Sequence, residues 1–324
     1  MTAETIPAAL RGRWWLTTAV AALAAVAVAA AAADAFSPTA AVSWLLVTAV
    51  PLGYTLWFLR ESLTLNHPPK PSEAADVADV ADSTDAPNAA DTADTTDAAD
   101  TTDVADTTDT ADATAPDAAS DGSSSVYPTL GVANGITIGR GWLYAGVAGF
   151  LLVVPAVDSL WRWLPALWYG GGAALDWVDG FVARRIGRRT VLGERLDMAF
   201  DTMGFLIAPV VAVAWGALPV WYLSVSAARY CYRFGCWLHE RRGGTLRDLP
   251  ESRVRRPLAG LQMAVITGAL LPVTPPRLVW PLATLAVVPS LAVFSRDFLS
   301  VTGRLDGSNA PDSPSIGEER ERTS

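Results

Sequence analysis

Two apolar runs flank a stretch, Asp176 to Asp201, that holds four aspartates: DWVDGFVARRIGRRTVLGERLDMAFD. Charge near hydrocarbon is costly, so carboxylates at the end of one membrane helix and the start of the next require compensation. At about 100° per residue, Asp176 and Asp179 lie about 60° apart on a helix, and Asp197 and Asp201 about 40° apart. Each pair therefore projects from one face. If the two helices form an antiparallel hairpin, the pairs oppose each other across a small gap. Four carboxylates so gathered repel one another unless a cation lies between them, and hard oxygen-seeking ions such as Mg²⁺ or Mn²⁺ fit that donor set. The intervening loop adds Arg184, Arg185, Arg188 and Arg189, a cluster suited to a diphosphate. The stretch reads as a metal and phosphate site.

Composition places that site in a membrane protein. Apolar residues make up 51% of the 324-residue chain, and they collect into runs long enough to span a bilayer. The net charge of −9 misleads, because it comes from one segment. Between Leu65 and Ser125 there are 15 acids against Lys70 alone, whereas the remainder carries 23 arginines against 18 acids. Asp recurs every third residue from Asp76 to Asp85 and from Asp91 to Asp112, a period that suits neither a helix stripe nor a strand. This Asp/Ala/Thr-rich segment is expected to be a disordered, solvated tether. A calcium-binding repeat lacks the Gly turns it needs here. Cys231 and Cys236 offer no disulfide framework, and with His239 they match no common zinc spacing.

The order of the chain then follows. Trp14 to Ala33 and Ala40 to Leu59 form a two-helix transmembrane hairpin over residues 1–64, whose first run exceeds a signal-peptide core. It carries no ionisable residue in mid-span and reads as an anchor or packing partner. The linker occupies 65–125, a catalytic domain 126–303, and a disordered tail 304–324. Val126 to Arg140 is expected to lie in the interface before the first of six spans, at about 141–157, 160–180, 193–216, 218–238, 257–273 and 278–299. Arginines concentrate after the second and fourth of these, which puts the aspartates on the cytoplasmic side of a multi-pass protein of the cell membrane. The fold class is all-α: a six-helix transmembrane bundle preceded by the hairpin and the acidic linker.

The spacing D-x2-D-G-x2-A-R-x8-G-x3-D-x3-D, with eight fixed residues across 26 positions, resembles the signature of the CDP-alcohol phosphatidyltransferase family. Asn134-x-x-Thr137-x-x-Arg140 resembles the N-x-x-T-x-x-R element that precedes it there, with Ala133 where the family often has Pro. The resemblance covers about 126–303. It implies transfer of a phosphatidyl-type, or archaetidyl, group from a CDP-linked lipid to an alcohol, with release of CMP. It implies two divalent ions, Mg²⁺ or Mn²⁺, on Asp176, Asp179, Asp197 and Asp201, with Asp201 as general base. By the same resemblance, Asn134, Thr137, Arg140, Gly180, Ala183, Arg184 and Gly193 bind the CDP-lipid. Arg229 and Arg233, four apart on one helix face, and Arg256 resemble an acceptor-phosphate pocket; positive-inside anchoring at a helix end explains the first two equally well. The family's G-K-x-K-T-like sequence is replaced here by Arg255-Arg256-Pro257-Leu258-Ala259 ahead of Gln262.

A phosphorylated polyol is therefore the expected acceptor, glycerol phosphate first, with inositol phosphate and serine as alternatives. The donor is CDP-diacylglycerol or, if a lone lysine and an Asp-rich linker mark a salt-adapted archaeal host, CDP-archaeol. Membrane lipids and a second copy of the chain are further candidate partners; no nucleic acid is implied. Two rivals remain. An intramembrane prenyltransferase also uses Asp-rich motifs and Mg²⁺, but places them far apart along the chain. An Asp-lined cation carrier would hold its acids near the bilayer midplane and would have no use for Arg184.

Overall fold

The structure is a computed structural model. It describes residues 6–68, 126–186, 190–244 and 254–303, with the side chains of 177 and 179–186 outside the description. The acidic tether and the tail expected from the sequence thus lie outside the described residues. Within them the chain is helical, with no strand: α1 (Ala8–Ala35), α2 (Pro38–Ser62), α3 (Gly131–Gly149), α4 (Leu164–Ile186), α5 (Val191–Ala214), α6 (Leu223–Arg241), α7 (Arg255–Leu270) and α8 (Pro276–Val301). Short 3-10 turns at Leu63–Leu65, Leu160–Trp163 and Val220–Tyr222 follow α2 and lead into α4 and α6. Among the described residues, four helices are long and apolar enough to cross a membrane by length and composition: α1, α2 with its 3-10 extension, α5 and α8.

Local chemistry sets the ends. Ser37 caps α2 by accepting from Ala40 N–H at 3.1 Å, with Pro38 in the first turn where its missing N–H costs nothing. Gly131 opens α3 at φ +76°, a left-handed conformation that a side chain would resist. Thr190 caps α5 through Gly193 N–H at 3.0 Å.

The segment expected over 126–140 to lie in the interface does not stand apart from the helix that follows it. From Gly131 onward it is the first part of α3, and the helix stops at Gly149 rather than near 157. The stop has a visible cause. Phe150 and Leu151 turn tightly onto the carbonyls of Val147 and Ala148, and the Phe150 carbonyl accepts from the Trp215 indole at 3.0 Å.

Helix α3 is the centre of the bundle, packing on α2, α4 and α5, while α7 and α8 close the other side. Small residues make this possible. A Cβ on Gly146 would come within 2.7 Å of Trp168, and one on Gly141 within 3.0 Å of Phe200 and Thr55. Trp44 and Thr48 of α2 lie against Gly149, so the hairpin packs on the bundle rather than hanging from it.

Pro209 shows how a broken helix bond is repaired inside the bundle. Proline has no N–H for the carbonyl four residues earlier, Phe205. That oxygen instead accepts from the buried Ser226 hydroxyl of α6 at 2.6 Å. In hydrocarbon such a group needs a partner within the protein.

Candidate active site

Three helices bring the acids together, and a tyrosine sets their level. Tyr144, one turn beyond Arg140 on α3, sits between Gly172 of α4 and Gly204 of α5, where a Cβ would stand 2.5 Å and 2.8 Å from its ring. Gly172 is one turn before Asp176, and Gly204 about one turn after Asp201. The slot for the ring therefore places Asp176 and Asp201 at the height of Arg140. The two aspartate helices do not simply pinch a gap, as an isolated hairpin would: α3 lies between them for most of their length.

Arg140, with no exposed surface, forms ion pairs with Asp176 at 2.7 Å and with Asp197 and Asp201. One carboxylate oxygen from each aspartate lies within 4.8 Å of the others. The Asp179 side chain, with Gly180, Ala183 and Arg184, falls outside the described side chains, although all four positions are on α4. The cluster suits a divalent cation. Among the described residues three carboxylates gather in a half-buried place around the Arg140 guanidinium, and an all-oxygen donor set is the one that hard cations take.

Above the acids, Asn134 and Thr137 occupy the buried face of the first turns of α3. The Asn134 amide and the Thr190 hydroxyl bond to each other, with Asn134 Nδ2 donating at 3.1 Å. A Cβ on Gly193 would stand 2.5 Å from Asn134 Oδ1, so only glycine lets α5 start this close to α3. Thr137 donates to the Ala133 carbonyl at 3.1 Å.

A second space opens beside the cluster. Phe205, one turn beyond Asp201, forms one wall of a cavity of about 80 Å³ that also meets Arg229, Arg255, Gln262, Ser290 and Asp297. The Arg229 guanidinium stacks on the Phe205 ring at 4.8 Å, and its Nη1 is buried with no hydrogen-bond partner among the described residues. Arg255 Nε donates to Asp297 at 2.8 Å. Gln262 braces this wall: it donates to Ser290 Oγ at 2.8 Å and to the Ala286 carbonyl at 2.9 Å, and accepts from Tyr222.

The three arginines proposed for one pocket thus separate. Arg229 lines the cavity. Arg233 is exposed and borders a different, larger groove between α2, α5 and α6. Arg256 is exposed and is not among the cavity's walls, where its neighbour Arg255 stands instead. The register of an Arg-Arg pair at a helix start is a matter of tertiary placement, which spacing alone does not give. Asp297, by contrast, had a signal: it is an acid inside an apolar run.

A sequence model described as CDP-alcohol phosphatidyltransferase matches residues 130–294. No curated protein and no solved structure matches the chain. The matched span runs from the start of α3 into α8 and takes in the acid cluster and every wall of the cavity except Asp297. The chain therefore belongs to the CDP-alcohol phosphatidyltransferase family, membrane enzymes that depend on a divalent metal and move a phosphatidyl-type group from a CDP-alcohol to an acceptor.

Proposed function

We propose that this protein transfers the lipid phosphoryl group of a CDP-linked lipid to a phosphorylated polyol, with glycerol phosphate as the first candidate, and releases CMP. One observation carries this reading: the buried Nη1 of Arg229, with no hydrogen-bond partner among the described residues, lies at a small cavity that also meets Arg255, Gln262, Ser290 and Asp297 and whose Phe205 wall is one helical turn from Asp201. An acceptor that brings its own phosphate would meet Arg229 and Arg255 there, while its hydroxyl points back toward the acids. Serine has no such phosphate to offer.

The residue roles follow from position. Asp176, Asp179, Asp197 and Asp201 would hold two ions, Mg²⁺ or Mn²⁺, which neutralise charge on the diphosphate when bound. Asn134, Thr137 and Arg140 on α3, Gly180, Ala183 and Arg184 on α4, and Gly193 on α5 would bind the nucleotide end of the donor. Asp201, the most buried of the three described acids, would take the proton of the attacking hydroxyl. In that step the acceptor oxygen bonds to the lipid-side phosphorus, the bond to the CMP oxygen breaks, and the proton passes to the carboxylate. The positive-inside pattern supports an active site on the cytoplasmic face.

The test supplies purified protein with CDP-diacylglycerol or CDP-archaeol and, in separate reactions, labelled glycerol phosphate, inositol phosphate or serine. Label from a phosphorylated polyol should enter the organic phase. Incorporation of serine alone would overturn the acceptor assignment.

A further inference from the structure

The residues that end the N-terminal hairpin lie outside the family match, yet they reach into the donor side of the site. Asn66 follows the 3-10 turn Leu63–Leu65 and has no exposed surface. Its Nδ2 donates to the carbonyls of Tyr127 and Thr129, both at 2.9 Å, and its own carbonyl accepts from Tyr127 N–H at 2.7 Å. The next carbonyl, that of His67, accepts from Val191 N–H at 3.2 Å. Two consecutive residues thus tie the end of the hairpin to the lead-in of α3 and to the first turn of α5.

The bonds also carry a direction. Tyr127 and Thr129 offer carbonyl oxygens, which can only accept, so the Asn66 amide has one orientation, with Oδ1 turned toward Asn134. Asn134 Nδ2 lies 3.4 Å from that oxygen and also donates to Thr190 Oγ1, which in turn caps Gly193 N–H. Rotating the Asn134 amide would set its oxygen against Asn66 Oδ1. The polarity of Asn134 is therefore assigned from outside the catalytic domain.

We propose that Asn66 is a positioning residue for the CDP-lipid: it orients the Asn134 amide and, through Thr190, the start of α5, which makes the hairpin a part of the site. This rests on Asn134 belonging to the donor site, as proposed above.

The experiment is steady-state kinetics on the full-length protein with Asn66→Ala, Asn66→Asp, Asn134→Ala and the Asn66→Ala/Asn134→Ala double variant. Asn66→Asp keeps the size of the side chain but sets a carboxylate oxygen against two carbonyls. Asn66→Ala should raise the KM for CDP-lipid roughly three- to tenfold, the effect of one lost hydrogen bond, with the acceptor KM unchanged. Asn66→Asp should be at least as severe. In the Asn134→Ala background, Asn66→Ala should add little, because its partner is already gone.

A CDP-lipid KM unmoved by Asn66→Ala, or effects of the two asparagines that multiply in full, would overturn the proposal. So would an equal rise in both KM values with a fallen thermal midpoint, which is what simple loss of hairpin docking produces. Should Asn66→Ala not fold, Asn66→Ser, which keeps a donor toward one carbonyl, provides the same comparison. Wild-type protein that releases no CMP from CDP-lipid would sink the functional reading and this one with it; normal turnover with an unmoved KM would sink this one alone.

Discussion

Asp201, buried on α5, and Arg229, half-buried on the neighbouring α6, each make their own prediction. Asp201 pairs with Arg140 and stands one helical turn before Phe205, which walls the cavity. Asp201→Asn keeps the shape and removes the base, so transfer should fall by at least about a hundredfold while CDP-lipid binding persists. CMP release and nucleotide binding, measured on the same preparation, separate the two; near-normal turnover would rule out the proposed role. For the arginines, position decides. Arg229→Ala and Arg255→Ala should raise the acceptor KM by roughly tenfold or more, the worth of a charged hydrogen bond, whereas Arg256→Ala, at an exposed site, should leave it within about twofold. A reversed ranking in acceptor titrations would move the pocket away from the cavity.

At the scale of elements, the aspartate spacing was readable because it rests on helix periodicity alone: acids three or four apart share a face whatever surrounds them. The ends of α5, α7 and α8 fall within three residues of the apolar runs, whereas α4 continues six residues past its run, through Arg184 and Arg185, and α6 starts five residues after its own. What eluded the sequence was tertiary. In Gly131 to Arg140 the three polar side chains are buried, Asn134 against Asn66 and Thr190 and Arg140 against the acids, which spacing does not give. Nor could spacing reveal that α3, with Arg140 and Tyr144, wedges between the two aspartate helices. The Phe205–Ser226 bond belongs to this scale as well. Ser226→Ala leaves the carbonyl opposite Pro209 without its donor, and should cost about 0.5–2 kcal/mol, seen as a lower unfolding temperature in detergent. An unchanged midpoint would mean that water or lipid headgroups reach that oxygen.

Across the described residues one arrangement recurs: several polar side chains of the site are buried while large apolar ones lie on the surface. Large hydrophobic side chains such as Trp15, Leu23, Val50, Leu152, Leu285 and Val288 are exposed, as they would be against lipid, while Asn66, Asn134, Arg140 and Asp201 are buried. The N-terminal hairpin shares in both, apolar outside and tied to the site within. If the gathered carboxylates hold divalent cations for phosphoryl transfer from a CDP-lipid, the two products must rise and fall together with the metal. The most direct measurement counts CMP released and labelled acceptor gained by lipid while a chelator strips the metal and Mg²⁺ or Mn²⁺ is returned. Equal counts of the two products are expected, lost on chelation, restored by either ion, and absent at every metal concentration in Asp176→Asn/Asp197→Asn protein. Turnover that persists without divalent ions, or survives in that variant, would contradict that role for the carboxylates.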